Sequence, residues 1–315
     1  MEDSWLPDYV SLGPGGTKGF YLLGVIFHLK RIGYLNQVKG YIGCSVGSMI
    51  SLLLCVGYDP INIITIAADT KIFEDFFSLT LADRMTEIRN NIGLVSNASV
   101  QARLEEAVGN KVGFLPNLLE LYNRTGIDFW TVSYNMTSRK PTYISWRTHP
   151  DMPVVTAVML SINIPFVFYQ LEYKNETHID GGFVDPVPIA PIDDGINRIL
   201  SITTVTDTEH TNCLTSYVHG IIMSSIDQLA NMIISVSSEQ CRFLRIKSRT
   251  MDTTGVTLDV NDKAQMVQDG IKAGEYYIDY DHVLYEPTDT EGLSPILSLL
   301  SGNQSRIVFY PPNTS

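Results

Sequence analysis

The stretch Tyr41-Ile-Gly-Cys-Ser-Val-Gly-Ser-Met-Ile-Ser-Leu-Leu-Leu-Cys-Val56 decides how this chain is read. Tyr41-Ile42 is apolar and β-prone. Met49 to Val56 is an apolar run closed by Gly57 and reads as a buried helix. Between them, Gly43-Cys-Ser-Val-Gly47 makes a sharp strand-to-helix turn. The two glycines remove Cβ atoms where such a turn is crowded, and the helix N-terminus favours negative charge beside Ser45. Upstream, Tyr9-Val-Ser-Leu12 is a short β-prone segment that ends at Gly13-Pro-Gly-Gly16. From Thr17 to Lys30, Phe20, Leu23 and Phe27, and again Ile26 and Leu29, recur at helical spacing, with Gly33 as the C-cap. Residues 9–57 therefore read strand, glycine loop, helix, strand, sharp turn, helix, the opening of a parallel sheet with helices on its faces.

Downstream, residues 60–125 read as mainly helical, with Phe73 to Leu81 either part of a lid or ordinary packing. Ile127 to Ser133 and Thr142 to Trp146 read as neighbouring strands in a hairpin. Pro153 to Ile162 reads as a buried helix stopped before Pro165. Thr177-His-Ile-Asp180 runs into the turn signal Gly181-Gly182, and Arg198 to Val205 is β-rich. Residues 216–236 read as an apolar helix, Phe243 to Ile246 as a strand and 261–279 as a last helix. Short repeats and low-complexity linkers are absent. The expectation is one catalytic domain over 1–285, with 60–125 as a helical insertion or lid and 286–315 as a C-terminal tail. The fold class is α/β, three layers, with a mainly parallel central sheet flanked by helices.

Composition narrows the function. The chain has 315 residues and a formal charge of −12. It lacks the basic excess a general nucleic-acid binder needs, and its charge opposes electrostatic attraction to anionic lipid while leaving apolar contact open. Cys44, Cys55, Cys213 and Cys241 show no CxxC spacing, so neither a disulfide framework nor a zinc cluster is expected. Met-Glu-Asp is not the start of a secretory signal, and no apolar run reaches about 18 residues. The expected location is cytoplasmic, with peripheral contact at membranes.

Three segments carry chemistry. Ser45 on its turn is a nucleophile candidate. In Gly13-Pro-Gly-Gly-Thr-Lys-Gly19, backbone N–H groups can converge on an oxyanion. That loop is no Walker A motif, because Gly19 follows Lys18, and no clean dinucleotide fingerprint, because Lys18 occupies the third glycine position. In Asp180-Gly-Gly-Phe-Val-Asp-Pro-Val-Pro188, Asp180 is either a base on an exposed turn or an Asx-turn carboxylate, while Asp185, before Pro186, looks structural. His210, His219 and His282 follow Asp180 and permit a Ser–Asp–His order, but none sits in a strong loop motif. His28 and His149 read as structural or surface residues.

Together these segments resemble the patatin-like phospholipase family, whose pattern is a glycine-rich oxyanion loop, a GxSxG nucleophile and an Asp-Gly-Gly. Ser161-Ile-Asn-Ile-Pro-Phe-Val-Phe168 is similar to the family segment upstream of that aspartate, and Lys263 to Tyr277 to its closing helix. The resemblance covers about residues 7–210. It implies a Ser45–Asp180 dyad, an oxyanion hole from Gly15, Gly16 and Thr17, no metal or organic cofactor, and a phospholipid or other acyl-ester lipid as substrate. Val46, Met49, Phe73, Phe76, Phe77, Phe166 and Phe168 are candidates to line an acyl channel, with core packing as the alternative for each. The chain departs from the pattern at Pro14, which has no N–H to donate, and at Asn163, where the family has alanine. Those departures keep an inactive lipid-binding protein on the same fold as an alternative, beside a general carboxylesterase or thioesterase.

Overall fold

In Tyr9–Leu12 (β1), Val10 and Leu12 are buried in one apolar cluster and Tyr9 in another. A strand with apolar side chains buried on both faces belongs at the middle of a sheet covered by helices. The computed structural model describes residues 5–68, 81–206, 214–249, 258–278, 280 and 282–287. It places β1 between Gly40–Cys44 (β2) and Ile199–Thr206 (β9), parallel to both. Beyond β9 lie Cys241–Ser248 (β10) and His282–Tyr285 (β11), also parallel. On the other side of β2 comes Asp128–Asn135 (β4), parallel to β2, with Lys140–Ser145 (β5) antiparallel to it as the expected hairpin. Glu176–Asp180 (β8) and Leu171–Tyr173 (β7) complete the sheet in antiparallel sense. Gly93–Val95 (β3) and Phe166–Phe168 (β6) form a separate two-stranded parallel sheet.

Helices cover both faces. Gly19–Arg31 (α1), Val46–Cys55 (α2), Val154–Ser161 (α7) and Val260–Tyr277 (α9) contribute to the main core. α1 and α9 meet backbone to backbone, because a Cβ on Gly24 would lie 2.2 Å from the Val267 carbonyl oxygen and one on Gly270 would lie 2.1 Å from that of Tyr21. On the opposite face, Ile42, Trp130 and Phe243 pack with Val187, Ile189 and Ile192 and with Ala230 of Leu214–Val236 (α8). Pro60–Ala68 (α3), Leu81–Asn91 (α4), Ala98–Val112 (α5) and Leu118–Thr125 (α6) make the described part of 60–125 mainly helical, interrupted by β3. Among the described residues no helix is long and apolar enough to cross a membrane.

The feature that builds the site is an edge of β4 shared by two strands. β5 takes one edge, pairing Trp130 to Asn135. β2 runs up the other edge as far as Cys44 opposite Val132. β8 runs down that same edge and ends with Asp180 opposite Ser133. The two strands thus converge on neighbouring register positions, and Ser45, one residue past Cys44, arrives beside Asp180.

Candidate active site

Ser45 occupies the turn from β2 into α2 at φ 56°, ψ −127°. A residue carrying a Cβ pays about 1–3 kcal/mol for such a conformation, so neighbours must impose it. They do: a Cβ on Gly43 would lie 2.3 Å from the Gly47 carbonyl, and one on Gly47 would lie 2.2 Å from the Leu12 carbonyl oxygen. The Ser45 N–H donates to Ser161 Oγ at 3.0 Å, while its carbonyl accepts the Ser48 N–H and hydroxyl. The first turn of α2 carries no acid, so its positive end is left for the site.

The glycine loop is packed against this turn. Gly19 leaves room for Val46, whose Cγ2 would stand 2.6 Å from a Cβ there. Gly16 has φ 56°, the left-handed region that favours glycine, and opens the 3₁₀ turn Gly16–Lys18 that also holds Thr17. Among the described residues the N–H groups of Gly15 and Gly16 have no acceptor, which leaves them as donors in the loop packed against the Ser45 turn. Lys18 is buried and its Nζ donates to Thr206 Oγ1. Pro14 donates nothing but fills space, since a Cβ on Gly182 would lie 2.8 Å from its own Cβ.

Asp180 is buried, and its N–H donates to the Asn163 carbonyl at 2.9 Å. Its Oδ1 accepts the Gly182 N–H at 2.7 Å and faces Cys44 Sγ at 3.9 Å. Burial pushes its pKa up to about 6, against the opposing pull of the neighbouring Ser45 side chain, the Gly182 N–H and the Cys44 thiol. A buried carboxylate poised there, beside Ser45, suits a general base working near neutral pH. Asp180 thus does not lie on an exposed turn: it is buried and closes the Asx turn through the Gly182 N–H. Asp185 is also buried and raised to about 6, chiefly by burial, but it accepts the Tyr143 hydroxyl at 2.8 Å and so has a structural partner.

The histidines divide clearly. His282 stacks on Phe243 at the far edge of the sheet, well away from β2. His28 is buried against Glu275, with its pKa lowered chiefly by burial, and His149 has the same direction and main cause. His210 and the side chain of His219 lie outside the described residues. The acyl-lining candidates fare unevenly: Val46 and Met49 are half-buried against the main core, Phe168 is buried, and Phe166 is exposed. Phe73, Phe76 and Phe77 lie outside the described residues. Among the described residues, no three His, Cys, Asp or Glu side chains converge as metal ligands would.

Two supporting residues were not singled out by sequence reasoning for what they do. Ser161 fixes the Ser45 N–H, and Asn163 Nδ2 donates to the His178 carbonyl at 3.0 Å while its own carbonyl holds Asp180. His178 Nδ1 in turn lies 2.9 Å from Ser133 Oγ, across the β4–β8 pair. The signal available was the spacing Ser161-Ile-Asn163 just before a proline turn, which reads equally well as a helix end.

A family model described as "Patatin-like phospholipase" matches residues 10–193. A protein of Invertebrate iridescent virus 6 named "Probable lipid hydrolase 463L" is 31% identical over 189 residues, covering 56% of this chain and 60% of that protein. An uncharacterized protein of Acanthamoeba polyphaga mimivirus is 28% identical over 203 residues, covering 62% of this chain and 64% of its own length. The chain thus matches less than two thirds of either relative's length. The crystal structure of VipD from Legionella pneumophila shares the fold at TM-score 0.55 and 15% identity, over 87% of this chain and 67% of that one.

Proposed function

The chain belongs to the patatin-like phospholipase family, and on that premise we propose that it is a serine acyl hydrolase that cleaves ester bonds of phospholipids or related lipids through a Ser45–Asp180 dyad. One observation carries the reading: β2 and β8 end at neighbouring positions on one edge of β4, which sets the buried Asp180 carboxyl beside the strained strand-to-helix turn that holds Ser45. The relative named as a lipid hydrolase supports the substrate class.

In this mechanism Asp180 accepts the Ser45 hydroxyl proton as Oγ attacks the ester carbonyl. The N–H groups of Gly15 and Gly16, and that of Val46 at the start of α2, hold the oxyanion, with Thr17 in the same turn. The alcohol leaves with the proton carried by Asp180, giving an acyl-Ser45. Water then gives its proton to Asp180 and attacks the acyl carbon, which frees the fatty acid and returns the proton to Ser45. Residues 1–285 act as one catalytic unit in this reading, working in the cytoplasm and meeting its lipid at a membrane surface.

The test is acyl release from phospholipid vesicles and from short p-nitrophenyl esters by wild type, Ser45→Ala and Asp180→Asn, with folding verified for each. Turnover of phospholipid that is lost in both variants supports the proposal. Turnover of the short esters alone makes the protein a general esterase. No turnover of either, with wild type folded, makes it an inactive lipid-binding member of the family, in which Pro14 has cost the loop a donor it needed.

A further inference from the structure

Helix α4 ends at Asn91, and the next residue, Ile92, has φ 55° with its side chain 53% exposed. Gly93 opens β3 and is the register partner of Phe166, which has φ 67° and is 65% exposed. Left-handed backbone is an outlier for bulky side chains and above all for a β-branched one, whereas glycine or asparagine adopts it readily. Here two large apolar groups stand in that conformation, at the same end of one small sheet, and both face water. The surroundings hold them there. A Cβ on Gly93 would lie 2.0 Å from the Phe168 carbonyl oxygen, so the strands are pressed together. The Tyr169 N–H donates to the Val95 carbonyl, the Gln170 N–H donates to that of Asn91, and the Tyr169 hydroxyl donates to Glu87 of α4.

Ile88, one helical turn before Ile92, is also exposed and extends the apolar stripe along α4. Phe166 is three residues past Asn163, which holds Asp180, and five past Ser161, which holds Ser45. The apolar pair is therefore tethered to the segment that positions both reacting groups. The turns joining β4 to β5 and β7 to β8 project from this same end of the main sheet, since β4 points the way β2 does and β8 returns against it. The turns carry exposed Arg139 and Lys174, with exposed Lys140 at the start of β5, and the acids nearest them in sequence, Glu172 and Glu176, lie in β7 and β8, within a chain of net charge −12.

We infer that Ile92 and Phe166 form an apolar lip that seats the mouth of the site on a phospholipid surface, with Arg139, Lys140 and Lys174 meeting the phosphates. The inference rests on the lipid-hydrolase reading and names the surface on which it operates. Both chemistries of such a surface have a counterpart: the acyl region in the strained apolar pair, and the headgroup layer in the cations of the turns at the site's end of the main sheet.

The experiment uses the full chain carrying Ser45→Ala, so that binding is read without turnover, and sedimentation with vesicles of phosphatidylcholine containing a minority of phosphatidylglycerol. Replacing Ile92→Asn and Phe166→Asn together should lower vesicle partitioning about tenfold or more, without lowering Tm, because asparagine accepts the left-handed backbone. Phe166→Trp should keep the partitioning, and its added indole emission should shift to the blue and be quenched by brominated acyl chains. Partitioning unchanged in the double variant overturns the inference, as does Phe166→Trp emission that vesicles leave unmoved. A mass in solution that falls from dimer to monomer in the double variant also overturns it, in favour of a second copy on this face. Wild type that fails to hydrolyse phospholipid while vesicle binding still depends on the lip removes the hydrolase reading alone. Hydrolysis with lip-independent binding removes the lip alone.

Discussion

At the turn Gly43–Gly47 an added methyl meets backbone: Gly47 carbonyl atoms at 2.3 Å from a Cβ on Gly43, and the Leu12 carbonyl oxygen at 2.2 Å from one on Gly47. In the loop Gly13–Gly19 it meets side chains first: Thr203 Cγ2 at 2.8 Å from a Cβ on Gly13, and Val46 Cγ2 at 2.6 Å from one on Gly19. Side chains can rotate aside, whereas β1 and α2 cannot separate without opening the sheet. The turn that carries Ser45 is thus set by the fold itself, and the glycine loop, the proposed oxyanion donor, by side chains that can adjust. The loop is where this chain can carry Pro14 and remain folded.

The comparison is broken or sharpened by substitution. Gly47→Ala should cost about 4 kcal/mol or more or prevent folding, read as the urea midpoint, because backbone must move. A cost near 1 kcal/mol would mean the turn yields as the loop does. Asp180→Asn acts on the third turn, joined to the loop by the contact of Pro14 with Gly182. The folded Asp180 carboxyl holds its proton up to about pH 6, whereas the ordinary value of a free aspartate carboxyl is 3.8. Its ionisation therefore works against the fold above pH 6, and that contribution to stability is fully present only below about pH 4. Asp180→Asn should accordingly be more stable than wild type by about 2–3 kcal/mol above pH 7, with the gain gone near pH 4. Paired thermal melts at the two pH values read this directly.

Smaller effects fall on the loop. Gly16→Ala at φ 56° should cost about 1–2 kcal/mol in stability, yet lower turnover about 10²-fold by misplacing a donor. Equal proportional losses in stability and turnover would deny Gly16 a role beyond structure. Pro14→Gly restores an N–H and frees the loop. It should lose under about 1 kcal/mol of stability while raising turnover, and unchanged turnover would show that Gly15 and Gly16 already suffice.

What the amino-acid order made legible follows the strength of each local signal. The alternation of strand and apolar helix through residues 9–57, the hairpin after Ile127 and the buried helix before Pro165 all appear where their patterns stand. Ser45 and Asp180 were legible because a strand-to-helix turn and an Asp-Gly-Gly turn need small residues whatever surrounds them. Their pairing was implied by the family resemblance and not by their own local patterns, because it depends on β2 and β8 sharing one edge of β4, a register between residues far apart in the chain. The short strands β3, β6 and β7 were missed for a related reason. With three residues each, they hold their form through partners and carry no rhythm of their own. Ser161 and Asn163 looked like a helix end because a hydroxyl or amide gives no sign in sequence of which backbone group it will meet.

The central claim, that Ser45 and Asp180 form one reacting unit, is tested most directly by the pH dependence of Ser45 labelling by a fluorophosphonate ester, followed by intact mass. In wild type the rate should rise about tenfold per pH unit and level off above pH about 6, where Asp180 is ionised. Asp180→Asn should label at least about 10³-fold more slowly, with that inflection gone. An adduct on a residue other than Ser45, or labelling of Asp180→Asn at the wild-type rate with the same inflection, would contradict the account.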